Sequence, residues 1–141
     1  MSLRILVDTG VCYAMFVKSD QHASALEQKS EFLDSPYRVI VPWPSIYEAL
    51  RTQFVKKPLA LGRFEDYLKK TNVEFLEAEC YRDDAFDETF ELSLRKNRPI
   101  SMVDCLLRRI MSDAAVSVDG FITFNANDFR DVCFARNIAM L

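Results

Sequence analysis

The sequence predicts an α/β sandwich on a mainly parallel sheet of four or five strands. Short apolar runs rich in β-branched residues alternate with longer stretches of helical periodicity, the pattern of strand–helix–strand units. Only three Gly and five Pro argue against an all-β chain, which needs many tight turns. A length of 141 residues suits one domain, residues 1–141, at the usual roughly 100–200 residues per domain. A folded chain of this size buries about two-thirds of its unfolded surface, so it needs no disulfide or structural metal to hold it.

Leu3 to Val7 is a short apolar run closed by Asp8-Thr9-Gly10, a buried strand ending in a polar turn. A helix follows over Val11 to Phe16. Asp20 is placed to cap a second helix running through His22, Ala25, Leu26 and Phe32 to Asp34-Ser35-Pro36. Tyr37 to Val41 is the second strand, and Pro42-Trp43-Pro44-Ser45 punctuates it before a helix with Ile46, Tyr47, Leu50 and Phe54 on one stripe. Pro58 closes or kinks that helix. Leu61, Phe64, Tyr67 and Leu68 mark another helix, and Val73 to Leu76 a third strand. Ala85, Phe86, Phe90, Leu92 and Leu94 mark a helix that stops before Pro99. Ser101 stands at an N-cap ahead of a helix from Met102 to Ala115, with Asp104 in the acidic place of a capping box. Gly120 to Phe124 and Ile138 to Leu141 supply the fourth and fifth strands.

Composition narrows the function. Hydrophobic residues make up 50% and charged residues 28%, the balance of a soluble globular chain rather than a disordered one. The net charge is −3, from 18 basic and 21 acidic residues, so bulk positive charge cannot hold a nucleic acid and any polyanion must meet a local patch. Cys12, Cys80, Cys105 and Cys133 form no CxxC pair, and the chain has one histidine. A zinc site therefore lacks ligands, and reduced, mostly buried thiols are expected. No apolar run approaches the roughly 18 residues of a membrane span, and no signal peptide is evident, so the expected setting is cytoplasmic and away from membranes.

In open parallel sheets chemistry collects beyond the carboxyl ends of the strands, and several polar residues are expected there. Asp8 ends the first strand, Glu48 follows the second, Asp104 opens a helix, and Asn125 and Asp128 follow the fourth strand. On a helical wheel Asp104 borders an apolar arc of Leu106, Leu107, Ile110 and Met111, where a carboxylate is partly desolvated and wants a partner. Each acid also has a plainer role. Asp8 can cap a helix, Asp104 can complete a capping box, Glu48 can be a solvated surface charge, and Asn125 and Asp128 can serve a turn.

Taken together, the strand ending in Asp8, Asp20-x-His22-x-x-Ala25, Glu48 after a proline turn, Ser101-x-x-Asp104 and Ile122-Thr123-Phe124-Asn125 resemble the PIN-domain family, most of all its small VapC-type toxin ribonucleases. The resemblance covers essentially the whole chain. It implies a three-layer α/β/α sandwich and a Mg²⁺- or Mn²⁺-dependent endoribonuclease. Asp8, Glu48 and Asp104 would be the acidic cluster, with Asn125 or Asp128 as a fourth polar ligand. Asn125 stands where many relatives carry an acid, so one tightly held metal is expected rather than two. Thr9 and Thr123 would orient water or phosphate. A small antitoxin protein and homodimerisation are further implications. A non-catalytic PIN-like module that binds RNA or protein is the alternative. A phosphotransferase with a nucleophilic Asp8 is disfavoured by Gly10, where such an enzyme carries a second acid.

For RNA, the basic residues Arg51, Lys56 and Lys57, then Arg95, Lys96 and Arg98, then Arg108 and Arg109 flank the acids in sequence, and Trp43 and Tyr47 are candidate stacking surfaces for bases. His22 is expected to lie far from the acids on another helix.

Overall fold

Five strands, β1 (Arg4–Val7), β2 (Arg38–Pro42), β3 (Val73–Leu76), β4 (Gly120–Ile122) and β5 (Ala139–Met140), form one sheet in the order β3-β2-β1-β4-β5. Every pairing is parallel. The structure, a computed structural model, describes residues 2–17 and 19–141. Leu6 pairs with both Ile40 and Phe121, and the two-residue period of the strands sorts the core from there. Leu6, Ile40 and Phe121 bury against one layer of helices, while Ile5, Val7, Val39, Val41 and Ile122 bury against the other. Strands covered on both faces read as continuous apolar runs, as these do.

The first layer holds α1 (Thr9–Ala14), α2 (Ala23–Glu27), α3 (Trp43–Ala49), α4 (Thr52–Val55) and α5 (Pro58–Leu68). The second holds α6 (Arg82–Phe90), α7 (Met102–Ser112) and α8 (Arg130–Arg136). The three-layer α/β/α architecture is therefore present, with its sheet wholly parallel. After β1 the chain steps outward through β2 to β3, then returns to lay β4 and β5 on the other side of β1. The switch point is the crevice at the carboxyl ends of β1 and β4, where ligands of such sheets bind.

Several elements differ from expectation. The helix from Asp20 through Phe32 is two short pieces, α2 and a 3-10 turn over Ser30–Leu33. Asp20 accepts from the His22 backbone N at 3.2 Å, three residues' worth of chain before α2 gets under way, and so closes a turn rather than capping that helix. The stripe ending at Phe54 is split at Leu50, whose ψ of 45° leaves the helical region. Tyr47 on α3 is 71% exposed while Phe54, beyond the break, is buried. Pro58 opens α5 instead of closing its predecessor, where its missing N–H costs nothing. The helix after Ser101 ends at Ser112, three residues short of Ala115. Helix α8 has no counterpart in the sequence reading. It spans seven residues and stops at Asn137 with φ 56° in the left-handed region, too short to show a period.

Candidate active site

Asp8 leaves β1 with extended φ and ψ and caps α1. One carboxylate oxygen accepts from the Thr9 backbone N at 2.7 Å, and the other accepts from Thr123 Oγ1 at 2.8 Å. Its own N–H donates to the Ile122 carbonyl across the β1–β4 crevice at 3.1 Å. Capping and candidate catalysis thus coincide in one residue. Burial raises the Asp8 carboxyl above its ordinary value; the Thr123 and Thr9 hydrogen bonds oppose that, and the charges of Glu48 and Asp128 add to it.

Asp104 comes from the second helical layer. Ser101 Oγ accepts from the Asp104 backbone N at 3.1 Å, the expected cap, which leaves the Asp104 carboxylate free of that duty. Burial, then the charges of Asp8, Asp128 and Glu48, push its carboxyl up to about 7. The charges of residues at the end of β1, on α3, on α7 and in the turn after β4 therefore bear on one another near the switch point.

Asn125 and Asp128 divide their roles. The Asn125 side-chain amide donates to the Asp128 carboxylate, and the Asn125 backbone N donates to Thr123 Oγ1 at 3.0 Å. Asp128 carries the charge that bears on Asp8 and Asp104, and Asn125 is exposed beside it. The turn under Asp128 is held by arginines. Arg108 Nη1 donates to the Asp128 carbonyl at 2.8 Å, and Arg98 Nη2 donates to the carbonyls of Asn127 and Asp128 at 3.1 and 3.0 Å.

That use of arginine corrects the expected basic patch. Arg108 is 5% exposed and forks onto Asp131 at 2.7 and 3.0 Å. Arg109 pairs with Glu88 at 2.8 Å, and Arg95 with Glu91 at 3.3 Å. Arg108 is committed inside the protein and Arg109 is half-buried on Glu88, while Arg95 makes its pair at the surface. Trp43 stacks on Phe75 with centroids 5.2 Å apart and lines an apolar groove with Leu50, Val55 and Leu61, a groove whose lining includes none of Asp8, Glu48, Asp104 and Asp128.

The reverse holds for His22. Its ring stacks on Phe124 at 4.2 Å and 6°, one residue past Thr123, and it lines a cleft of about 560 Å³ that also takes in Thr9, Glu48 and Arg51. The expectation of a remote histidine is overturned. The Asp20 turn folds the chain back onto the end of β4, a contact more than 100 residues long in sequence that no local pattern announces.

The donor set suits a hard divalent cation in kind, since all four groups are carboxylates and their crowding leaves negative charge in excess. Among the described residues no three acidic, histidine or cysteine side chains are arranged to hold a metal ion, so a cation would have to draw them together. Burial of Asp104 and the charges around it have a measurable consequence. The folded protein holds a proton on Asp104 up to about pH 7, whereas the unfolded chain releases it near 3.8. Stability therefore rises as pH falls through 7 and levels off toward 4. Melting in EDTA is expected at a higher temperature near pH 5 than near pH 8, with added Mn²⁺ closing the gap at the higher pH.

No protein-family model matches the sequence, and no curated protein matches it. Among solved structures the chain is similar to VapC20 of Mycobacterium tuberculosis, a Sarcin-Ricin loop cleaving toxin, with TM-score 0.69 and 15% identity over 90% of this chain and 94% of that one. It is also similar to VapBC2 of Rickettsia felis, solved bound to a DNA fragment from their promoter, with TM-score 0.65 and 15% identity over 99% and 98% of the two chains. The fold is the PIN-domain, VapC-like one. Among the described residues no helix is long and apolar enough to cross a membrane.

Proposed function

We propose that this chain is a Mg²⁺- or Mn²⁺-dependent endoribonuclease and the toxin of a toxin–antitoxin pair. The observation that carries the proposal is that burial, together with the charges of Asp8, Asp128 and Glu48, pushes the Asp104 carboxyl up to about 7 beside the β1–β4 switch point. The likeness in fold to VapC20, a Sarcin-Ricin loop cleaving toxin, and to VapBC2 supports it.

Asp8 and Asp104 would hold the cation directly, Glu48 directly or through water, and Asp128, hydrogen-bonded by the Asn125 side chain, would be the fourth group. When bound there, such an ion would supply a water of lowered pKa and would offset charge on the phosphate. Thr123 holds the Asp8 carboxylate in one orientation, and the hydroxyl of Thr9, buried with no hydrogen-bond partner, is available to a phosphate oxygen. Arg51, Lys56 and Lys57 are exposed and would meet the RNA backbone despite the net charge of −3. A small antitoxin protein would inhibit by placing an arginine among the carboxylates, where a guanidinium fork is strongly attracted. A homodimer is part of the same reading.

The absence of a closed cation cage among the described residues favours one alternative, a non-catalytic module that binds RNA or protein. Incubating the purified chain with RNA, with either cation and then with EDTA, separates the two. The nuclease produces fragments with new ends only when a cation is present. RNA left intact under all conditions rejects the nuclease in favour of the bare scaffold.

A further inference from the structure

The cleft beside the acids has a character of its own. Thr9 and Glu48 belong to it and to the acidic centre, so it opens directly from where chemistry would occur. Beyond them its wall changes from acid to aromatic, amide and cation, with Tyr13, His22, Arg51 and Gln53. Asp20 is the other acid there, and its carboxylate is occupied by the His22 backbone N at 3.2 Å.

Three features of this wall point to one ligand. Phe124 covers one face of the His22 ring in a parallel stack. Phe124 is itself partly buried and packed against the core cluster under this layer of helices. The imidazole is thus held flat on a fixed platform at the cleft's edge, half-buried rather than sealed. Thr9 is 7% exposed, and its Oγ1 has no hydrogen-bond partner, an expensive state for a buried hydroxyl unless a ligand completes it. Arg51 makes no ion pair among the described residues, in contrast to the arginines around Asp128. A flat ring, an unsatisfied hydroxyl and an unpaired guanidinium lining one cleft match the three parts of a nucleotide: base, sugar–phosphate oxygen and phosphate charge.

We infer that this cleft is a nucleotide subsite of the RNA, taking the unpaired residue next to the scissile phosphate, its base stacked on His22 and its phosphate held by Arg51 and Thr9. The inference rests on the ribonuclease reading and deepens it. It makes the substrate single-stranded or looped at the cut, because a base inside a duplex has no free face to offer. It also gives the Asp20-x-His22 turn a purpose, which is to hold the ring against Phe124.

The test is binding of the full chain to a fluorescein-labelled single-stranded RNA of randomised sequence, about ten nucleotides long, in EDTA so that nothing is cut. His22→Ala is expected to weaken binding roughly tenfold, the usual loss when one base–aromatic stack is removed. His22→Phe, which keeps the ring and discards its nitrogens, is expected to recover most of that loss. Arg51→Ala is expected to weaken binding and to flatten the plot of log affinity against log salt by about 0.7, the share of one phosphate contact on a single strand. Melting curves at the wild-type position establish that each variant is folded. Wild-type affinity in folded His22→Ala, or a His22→Phe variant as weak as His22→Ala, overturns the subsite while leaving the nuclease reading intact. A wild-type chain that neither binds nor cuts RNA overturns both.

Discussion

Asp104→Asn is expected to lower RNA cleavage by roughly 10²–10³-fold or more, the scale seen when a group that stabilises transition-state charge is removed, and to leave the fold intact. The two halves of this expectation have one cause. Asp104 is the most strained carboxyl of the cluster, raised to about 7 by burial and by three neighbouring acids. In the metal-free protein its charge is a liability, so an isosteric neutral amide relieves repulsion, and the melting temperature near pH 8 is expected to rise. With the cation present the same charge becomes an asset that the amide cannot replace, since a neutral carbonyl oxygen binds a hard ion more weakly. Loss of cleavage with gain of metal-free stability separates a functional carboxylate from a structural one. A variant that cleaves RNA at the wild-type rate, or that unfolds more easily in EDTA, contradicts the assignment.

Arg108→Ala is expected to have the largest effect on stability. Arg108 is 5% exposed and donates to Asp131 at 2.7 and 3.0 Å, to the Asp128 carbonyl at 2.8 Å and to Glu88 at 3.4 Å. One side chain thereby ties α6, α7, the Asp128 turn and the start of α8 together. Breaking such a pair leaves its partners uncompensated and costs about 3 kcal/mol, or roughly 10 °C in Tm at this size. The low end of the usual range applies because the Asp131 side chain is 52% exposed. Lysine is expected to recover little, having no planar fork to span Asp131 and the carbonyl. The sign of the pH dependence identifies the pair. The hydrogen bond from Arg108 holds Asp131 far below the ordinary carboxylate range, so its contribution is full above about pH 4 and is lost as pH falls further. Urea titrations should therefore show wild type and variant well apart at neutral pH and closer together near pH 2. A constant gap places the stabilisation elsewhere.

What the sequence revealed depended on range. Strand β3 was read to the residue, because Val73 to Leu76 is bounded by its own neighbours. The Ser101 cap was read from three residues of spacing and is present at 3.1 Å. Asp8, Glu48 and Asp104 were legible as candidates because each follows a strand or opens a helix, which the parallel architecture turns into a place at one edge of the sheet. Their convergence depends on the order β3-β2-β1-β4-β5, set by long-range pairing that local periodicity does not encode. The arginines show the same limit. In sequence Arg98, Arg108 and Arg109 looked like a groove for RNA, yet their acidic partners Asp131 and Glu88 lie more than 19 residues away. His22 met Phe124 across a still longer separation. Conversely, the break at Leu50 was masked because apolar residues continue on both sides of it, so one helical stripe was read where the backbone makes two helices.

The claim on which the rest depends is that carboxylates from distant segments meet at the β1–β4 switch point to hold one divalent cation. Titration of the purified chain with Mn²⁺, followed by calorimetry or by the electron paramagnetic resonance of the free ion, tests it without reference to any RNA. The expected result is one site near neutral pH, sharply weakened in Asp8→Asn and in Asp104→Asn. Binding that is absent from the wild type, or that survives both substitutions unchanged, would contradict it.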